Sequence, residues 1–384
     1  LVRSRGLGDV YKRQVPDALE RACERGTDAA AAHDDEVHGM TVPLRARAYT
    51  RVVSSGRLIK RVLVGRAMRS DHLGETLLPK KLALPVFASD ALSSVAYAPD
   101  EILLTLGLAG GALAMTHSWP VALGVVAVMA VVVASYRQNV HAYPSGGGDY
   151  EVASTNLGRK AGLTVASALL VDYVLTVAVS ISSGVQNAAA ALPWIRGHEV
   201  LAALVLIAAL TGINLRGVRE SGKAFAIPTY LFMLSVIAMG LVGVVRRTTG
   251  TLPQAESGPL QLAPEPGMEQ LGTLAMAFLL LRAFSSGCAA LTGVEAISNG
   301  VPAFRKPKST NAATTLLLMG GIAITMLVSM IALASWTGVK VAEDPATQLL
   351  RDGQPVGEEY VQHTVMAQVA QSVFDGFPAV SYTH

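Results

Sequence analysis

The 384-residue chain is 51% hydrophobic and 15% charged. That falls well short of the roughly 25% charge usual in soluble domains, which argues against an ordinary soluble enzyme and for a membrane protein. Its two cysteines, Cys23 and Cys288, lie far apart and in no CxxC or Cys/His spacing, so neither a disulfide framework nor a zinc site is expected. The net charge of +3 gives no ground for a nucleic-acid partner, and the placement of the charges carries more than their sum.

Residues 1–14, LVRSRGLGDVYKRQ, do not match the character of the remaining chain and read as a non-native, adapter-like segment, as does the tail 381–384. Residues 15–81 form an N-terminal region. Its first part, 15–43, is rich in Ala, Asp and Glu without sustained periodicity, which predicts disorder. From 45 to 81 the chain is basic (Arg45, Arg47, Arg51, Arg57, Lys60, Arg61, Arg66, Arg69, Lys80, Lys81), and Leu58, Ile59, Val62 and Leu63 give part of it an apolar face. A short helix on the membrane surface is expected there. The basic flank, with no cleavable signal before the first apolar run, predicts a cytoplasmic N-terminus.

About seven spans come next, over 82–113, 119–136, 161–186, 199–214, 222–245, 271–299 and 313–336, making a transmembrane domain of residues 82–338. With the N-terminus inside, the cytoplasmic connections carry Arg137, Arg159, Lys160, Arg216, Arg219, Lys223, Arg305, Lys306 and Lys308, while Glu256, Glu265, Glu269, Glu343, Asp344, Asp352, Glu358 and Glu359 fall outside. Arg196, Arg246, Arg247, Lys340 and Arg351 go the other way, but the balance keeps this orientation. Residues 339–380 read as an extracellular loop with an amphipathic helix near 364–374. An odd number of spans suggests a truncated transporter.

Ala91-Leu92-Ser93-Ser94-Val95 in the first span is echoed by Ala290-Leu291-Thr292-Gly293-Val294 in the sixth. The copies lie five spans apart and so enter the membrane in opposite directions. Paired, interrupted segments in corresponding positions point to a transporter's binding site, because the backbone groups freed by a break are tolerated only where they are buried or line a cavity. Breaks are therefore expected in both helix 1 and helix 6.

Three acids, Asp90, Asp172 and Glu295, fall deep within the first, third and sixth spans. An aspartate at mid-membrane depth costs roughly 2.5–3.5 kcal/mol on insertion scales, and three together roughly 8–10 kcal/mol. Asp90 and Tyr97 are seven residues apart, on one helical face. Asp172, Thr176 and Ser180 fall at i, i+4 and i+8 of the third span, again on one face, although the two hydroxyls could equally bond back to the preceding turn. Thr292 and Glu295 are one turn apart in the sixth. Arg282 is the sole basic residue within these three spans and cannot offset three carboxylates. Bound cations, protons or both must supply the balance, provided the acids share a site. The turn Pro144-Ser145-Gly146-Gly147-Gly148-Asp149-Tyr150 lacks the strand and the Lys-Ser/Thr of a phosphate cradle and reads as a plain loop.

These residues resemble the KimA-type potassium importers, a KUP-like branch of the amino acid–polyamine–organocation superfamily. The resemblance runs from about Gly56 to Val380, and is most specific at Ser89–Tyr97, Ser135–Gln138, Leu170–Ser180, Ala283–Cys288 and Leu291–Asn299. It implies an all-α membrane protein of the LeuT type, with two inverted five-helix repeats plus two further helices, here truncated after about seven. It also implies proton-coupled potassium uptake in the cell membrane by a homodimer, with no cofactor beyond the transported ions. Potassium would be bound by Asp90, Tyr97, Asp172, Thr176, Ser180, Thr292 and Glu295, all of which carry the expected residue type. A further tyrosine, five more helices and a cyclic di-AMP-binding cytoplasmic domain would lie beyond this chain.

The alternatives are an amino acid permease of the same superfamily, a membrane-embedded enzyme, and a sensor that binds potassium without moving it. Against the permease, Asp90 would repel a substrate carboxylate, and the first span has no Gly-x-Gly. Against the enzyme, no HExxH or G-x-S-x-G occurs and the hydroxyls near the acids lack a histidine base.

Overall fold

The computed structural model describes residues 77–146, 148–215 and 218–376, with residues 218–221, 223 and 224 as backbone only. The adapter-like ends, the stretch 15–43 and the amphipathic part of the basic region all lie outside the described residues.

The described part is all-α apart from one small sheet. Helix α1 spans Lys80–Gly107, α2 Gly111–Ala142, α3 Gly148–Leu157, α4 Arg159–Ala191, α5 Glu199–Asn214 and α6 Val218–Thr248. The sixth span consists of α7 (Thr273–Gly287), a 3-10 turn (Cys288–Leu291) and α8 (Ala296–Asn299), and α9 (Lys308–Thr337) comes after it. Among the described residues five stretches are long and apolar enough to cross a membrane: α2, α4, residues 225–248 of α6, the sixth span and α9. At 28 residues α1 is equally long, but it carries Asp90, Asp100 and Glu101. At 16 residues α5 is the short member expected from the sequence.

Helix α1 is the axis of the molecule. Ala88, Ala91, Leu92, Val95, Ala98, Ile102 and Leu106 form a stripe at helical spacing with no exposed surface, packed into a core shared with α2, α9 and part of α6. Small residues on that stripe let neighbouring backbones approach closely. At the periphery, α4 buries only Gly162, Thr176, Ile181, Val185 and Ala189, and α5 buries nothing. Leu170, Val171, Val174, Leu201 and Leu204 on these two helices are exposed, a surface suited to lipid rather than water.

The junction of the first two spans departs furthest from the sequence expectation. The first span ends at Gly107 rather than near 113, and α2 starts at Gly111. The turn between them lies under the loop: a Cβ on Gly107 would stand 3.0 Å from the Val341 carbonyl oxygen, and one on Gly111 3.3 Å from Leu262 Cβ. The loop itself is built. Strands β1 (Gln261–Leu262), β2 (Leu349–Arg351) and β3 (Gln354–Pro355) form an antiparallel sheet in the order β1-β2-β3. A short helix, α10 (Pro345–Gln348), precedes β2, and α11 (Val365–Phe374) comes after β3. Helix α11 is the amphipathic helix expected near 364–374. Thr364 caps it by accepting from the Ala367 N–H, and Val365, Val369 and Val373 point to the core. Both its ends are tied to the spans. The Asp100 carboxylate accepts the Val365 N–H at 2.7 Å, and Arg246 donates to the Val373 and Asp375 carbonyls at 2.9 and 2.8 Å. These charges suit the respective ends of the helix dipole.

The expected break in helix 1 is not present; α1 is continuous through Asp90 and Tyr97. No glycine or proline lies between Ala88 and Ala98, and the Ser93 and Ser94 hydroxyls bond back to the Asp90 carbonyl at 2.8 and 3.0 Å. The polar residues therefore occupy the helix without opening it. Pro85 and Pro99 lie inside α1, which runs through both although each removes an N–H donor and crowds the carbonyl four residues earlier.

The sixth span is broken. Its 3-10 turn ends at Leu291, Thr292 is extended (ψ 136°), and Gly293 has φ +86°, a conformation that costs a residue with a side chain about 1–3 kcal/mol.

Candidate functional site: a carboxylate cluster at the broken sixth span

The break lies directly against α1. Were Gly293 given a Cβ, it would stand 2.7 Å from Asp90 Oδ2 and 2.9 Å from the Ala91 nitrogen. Two more glycines make the same kind of contact: Gly287 meets Ile102 and Gly300 meets Phe87. As the sixth span advances from 287 to 300, its partners on α1 recede from 102 to 87. The echoing segments thus run antiparallel side by side, as their five-span separation predicts. Near the start of α1 the two are also joined through the backbone, Leu78 N–H donating to the Ala303 carbonyl and Arg305 N–H to the Leu78 carbonyl.

The three acids of the sequence analysis come together here. Asp90 and Asp172 are within electrostatic range of one another, and Glu295 is within range of both. Glu295 is 7% exposed, and its Oε1 is buried without a hydrogen-bond partner. Among the described residues no Lys, Arg or His lies within ion-pair distance of any of the three. Arg282, the sole basic candidate in these spans, is exposed and lines a large cavity that reaches the cluster only at Tyr97. Like charges gathered away from water repel, and the unpartnered Glu295 oxygen is buried as well.

Hydroxyls accompany the carboxylates on the same elements. The Tyr97 hydroxyl donates to Ser94 Oγ at 2.8 Å, and Ser94 bonds in turn to the Asp90 carbonyl, fixing the phenol one helical turn beyond the acid. Ser180 lies beside the Tyr97 hydroxyl, its own oxygen buried. Thr176 is buried one turn from both Asp172 and Ser180. Thr292 is half-buried in the extended residue of the break. The donor set is therefore all oxygen, with carboxylates, hydroxyls and a phenol, the kind that suits hard cations.

Tyr97 also forms part of the wall of a cavity of about 900 Å³. From there the cavity opens past Asp100, Glu101, Arg282 and Ser286 to the loop residues Glu343 and His363. At its rim His363 bonds Glu256 at 2.9 Å.

Four residues that the sequence reading did not single out for chemistry lie on the other side of the cluster. The Tyr136 hydroxyl donates to Asp149 Oδ2 at 2.7 Å, and Asn299 donates to the Tyr173 hydroxyl at 2.9 Å. The sequence signal for them was faint: Asp149 comes after three glycines, and the two tyrosines are ordinary aromatic residues within apolar helices.

Comparison with known proteins identifies the family of the chain. Residues 87–383 match the family model described as amino acid permease. The potassium transporter KimA of Bacillus subtilis (strain 168) is 40% identical over 332 residues, which cover 84% of this chain and 53% of that protein. A probable potassium transport system protein, Kup 1 of Bradyrhizobium sp. (strain ORS 278), is 32% identical over 88 residues, 23% of this chain and 14% of that protein. The chain thus spans about half the length of the first of these relatives.

Proposed function

The chain belongs to the amino acid permease family, and within that family we propose that it forms the ion-binding part of a potassium importer. This multi-pass membrane protein would hold potassium between α1, α4 and the broken sixth span. Asp90, Asp172 and Glu295 supply the negative charge, and Tyr97, Thr176, Ser180 and Thr292 supply neutral oxygens. The observation that carries the reading is the cluster itself: three carboxylates within range of one another, one with an unpartnered buried oxygen, and no basic side chain in ion-pair distance among the described residues. A cation removes the repulsion and the desolvation penalty together. The likeness to KimA, whose name states potassium transport, supports the choice of ion.

The wide cavity gives the ion a path to Tyr97 from the loop side, which the basic connections assign to the exterior and which leaves the N-terminus in the cytoplasm. Import against the ion's gradient needs a driving force. Proton symport fits, because the carboxylates can carry a proton on the same journey. An amino acid substrate fits poorly. Its carboxylate needs free N–H groups, and the unbroken α1 keeps its own within the helix.

The test is rubidium or potassium flux in proteoliposomes containing the full-length protein, with and without an inward proton gradient, and with amino acids as competitors. The expected result is cation uptake accelerated by the gradient and indifferent to amino acids. Amino acid uptake without cation flux would overturn the reading.

A further inference from the structure

Resting on that reading, we propose that Asp149 is a fourth carboxylate of the ion path, receiving the monovalent cation from Glu295 on its way to the side opposite the wide cavity. Three observations converge. First, Glu295 is within electrostatic range of Asp149 as well as of Asp90 and Asp172, and Gly148, next to Asp149, packs on Asn299, one turn after Glu295. Its buried Oε1 has no hydrogen-bond partner, leaving an acceptor free for a cation in transit.

Second, the space between the two acids is flanked by neutral oxygens. Tyr136 is bonded to Asp149 and in range of Glu295. Tyr173 is in range of both acids and of Asp172, and its hydroxyl is held by Asn299. Carboxylate and phenol oxygens in sequence can replace a cation's hydration shell step by step.

Third, the start of α3, where Asp149 lies, packs against the end of the sixth span. A Cβ on Gly146 would stand 2.6 Å from Pro302 Cδ, and one on Gly148 2.5 Å from Asn299 Oδ1, so the turn is pressed onto the end of the sixth span. Phe87, one turn before Asp90, covers Gly300 and stacks on Phe304 with ring centroids 5.5 Å apart. Asp149 lies in the first turn of α3, where the helix dipole favours a carboxylate. The glycine-rich turn, read from sequence as a plain loop, is on this account what carries the last ion ligand.

The experiment compares Asp149→Asn, Asp149→Glu and Asp90→Asn in the full-length protein. Potassium-dependent thermal stabilisation reads binding at the cluster, and rubidium uptake into proteoliposomes reads transport. Asp149→Asn is expected to keep the wild-type potassium midpoint within about twofold while uptake falls at least about tenfold, with Asp149→Glu recovering part of it; Asp90→Asn is expected to lose both. The Asn variant keeps an acceptor for Tyr136, so a purely structural role would leave uptake largely intact. Uptake by Asp149→Asn within twofold of wild type, or loss of binding together with uptake, overturns the proposal. Absence of both signals in the wild-type protein would instead overturn the potassium reading itself, before any Asp149 variant is considered.

Discussion

Two five-residue segments, Ala91–Val95 and Ala290–Val294, share a pattern and lie side by side, yet one is a continuous helix and the other is not. They differ at two positions, Ser93 against Thr292 and Ser94 against Gly293. In α1 both serine hydroxyls bond back to the Asp90 carbonyl, so the polar residues serve the helix they occupy. In the sixth span the glycine takes φ +86°, and with no side chain it brings its backbone against the Asp90 carboxylate. The intact helix presents the acid, and the broken one supplies the close wall opposite. One break is enough to build the cluster.

The most severe way to break this comparison is Gly293→Ala. The new Cβ would meet Asp90 Oδ2 and the Ala91 nitrogen in a backbone conformation unfavourable for alanine. Strain of about 1–3 kcal/mol and overpacking of about 1–3 kcal/mol should both appear, so thermal unfolding in detergent should show a clear loss of stability and cation uptake should vanish. Asp90→Asn and Asp172→Asn separate the two effects. Each should abolish growth rescue of a potassium-uptake-deficient bacterium at low potassium, while the melting temperature without potassium holds or rises because the mutual repulsion of the pair is relieved. Full rescue by both variants would discard the site assignment. Glu295→Gln should be milder, weakening potassium affinity about tenfold, roughly 1.4 kcal/mol, as read by the potassium dependence of thermal stabilisation. Unchanged affinity would assign Glu295 to something other than the ion.

The contrast also explains what could be read from the sequence. The long apolar spans, the opposed echo and the amphipathic Val365–Phe374 helix were legible because each is a local pattern of hydrophobic spacing. The break at Thr292-Gly293 was legible too, since a glycine there removes the side chain that would hold the helix. The continuity of α1 was not. A cluster of Ser and Asp reads as an interruption, whereas in a helix each hydroxyl finds a carbonyl one turn back. The two-residue strands at Gln261 and Gln354 left no local trace, because their pairing is a property of the tertiary contact. Asp149 was passed over for a similar reason. Its carboxylate gains meaning only when the fold brings Tyr136, Tyr173, Glu295 and Asn299 around it, and those residues are spread over more than 150 positions of sequence.

The smallest expected effect sharpens the comparison most, because it tests whether the serines of α1 do more than keep the helix closed. Ser93 is half-buried and bonds only back to the Asp90 carbonyl among the contacts described. Ser94 is fully buried, makes the same bond, and also accepts the Tyr97 hydroxyl. Alanine in place of either gains a few tenths of a kcal/mol of helix propensity, which roughly offsets the loss of a back-bond. Ser93→Ala should therefore be near neutral. Ser94→Ala also leaves a buried phenol without its acceptor, a change of about 1 kcal/mol, and frees Tyr97 to leave the wall of the cavity. Potassium affinity should fall about two- to fivefold in Ser94→Ala and not in Ser93→Ala, measured as the midpoint of potassium-dependent thermal stabilisation. Equal midpoints for the two variants would mean that the serine–tyrosine tie does not position the phenol for the ion, and that the hydroxyls of α1 serve its backbone alone.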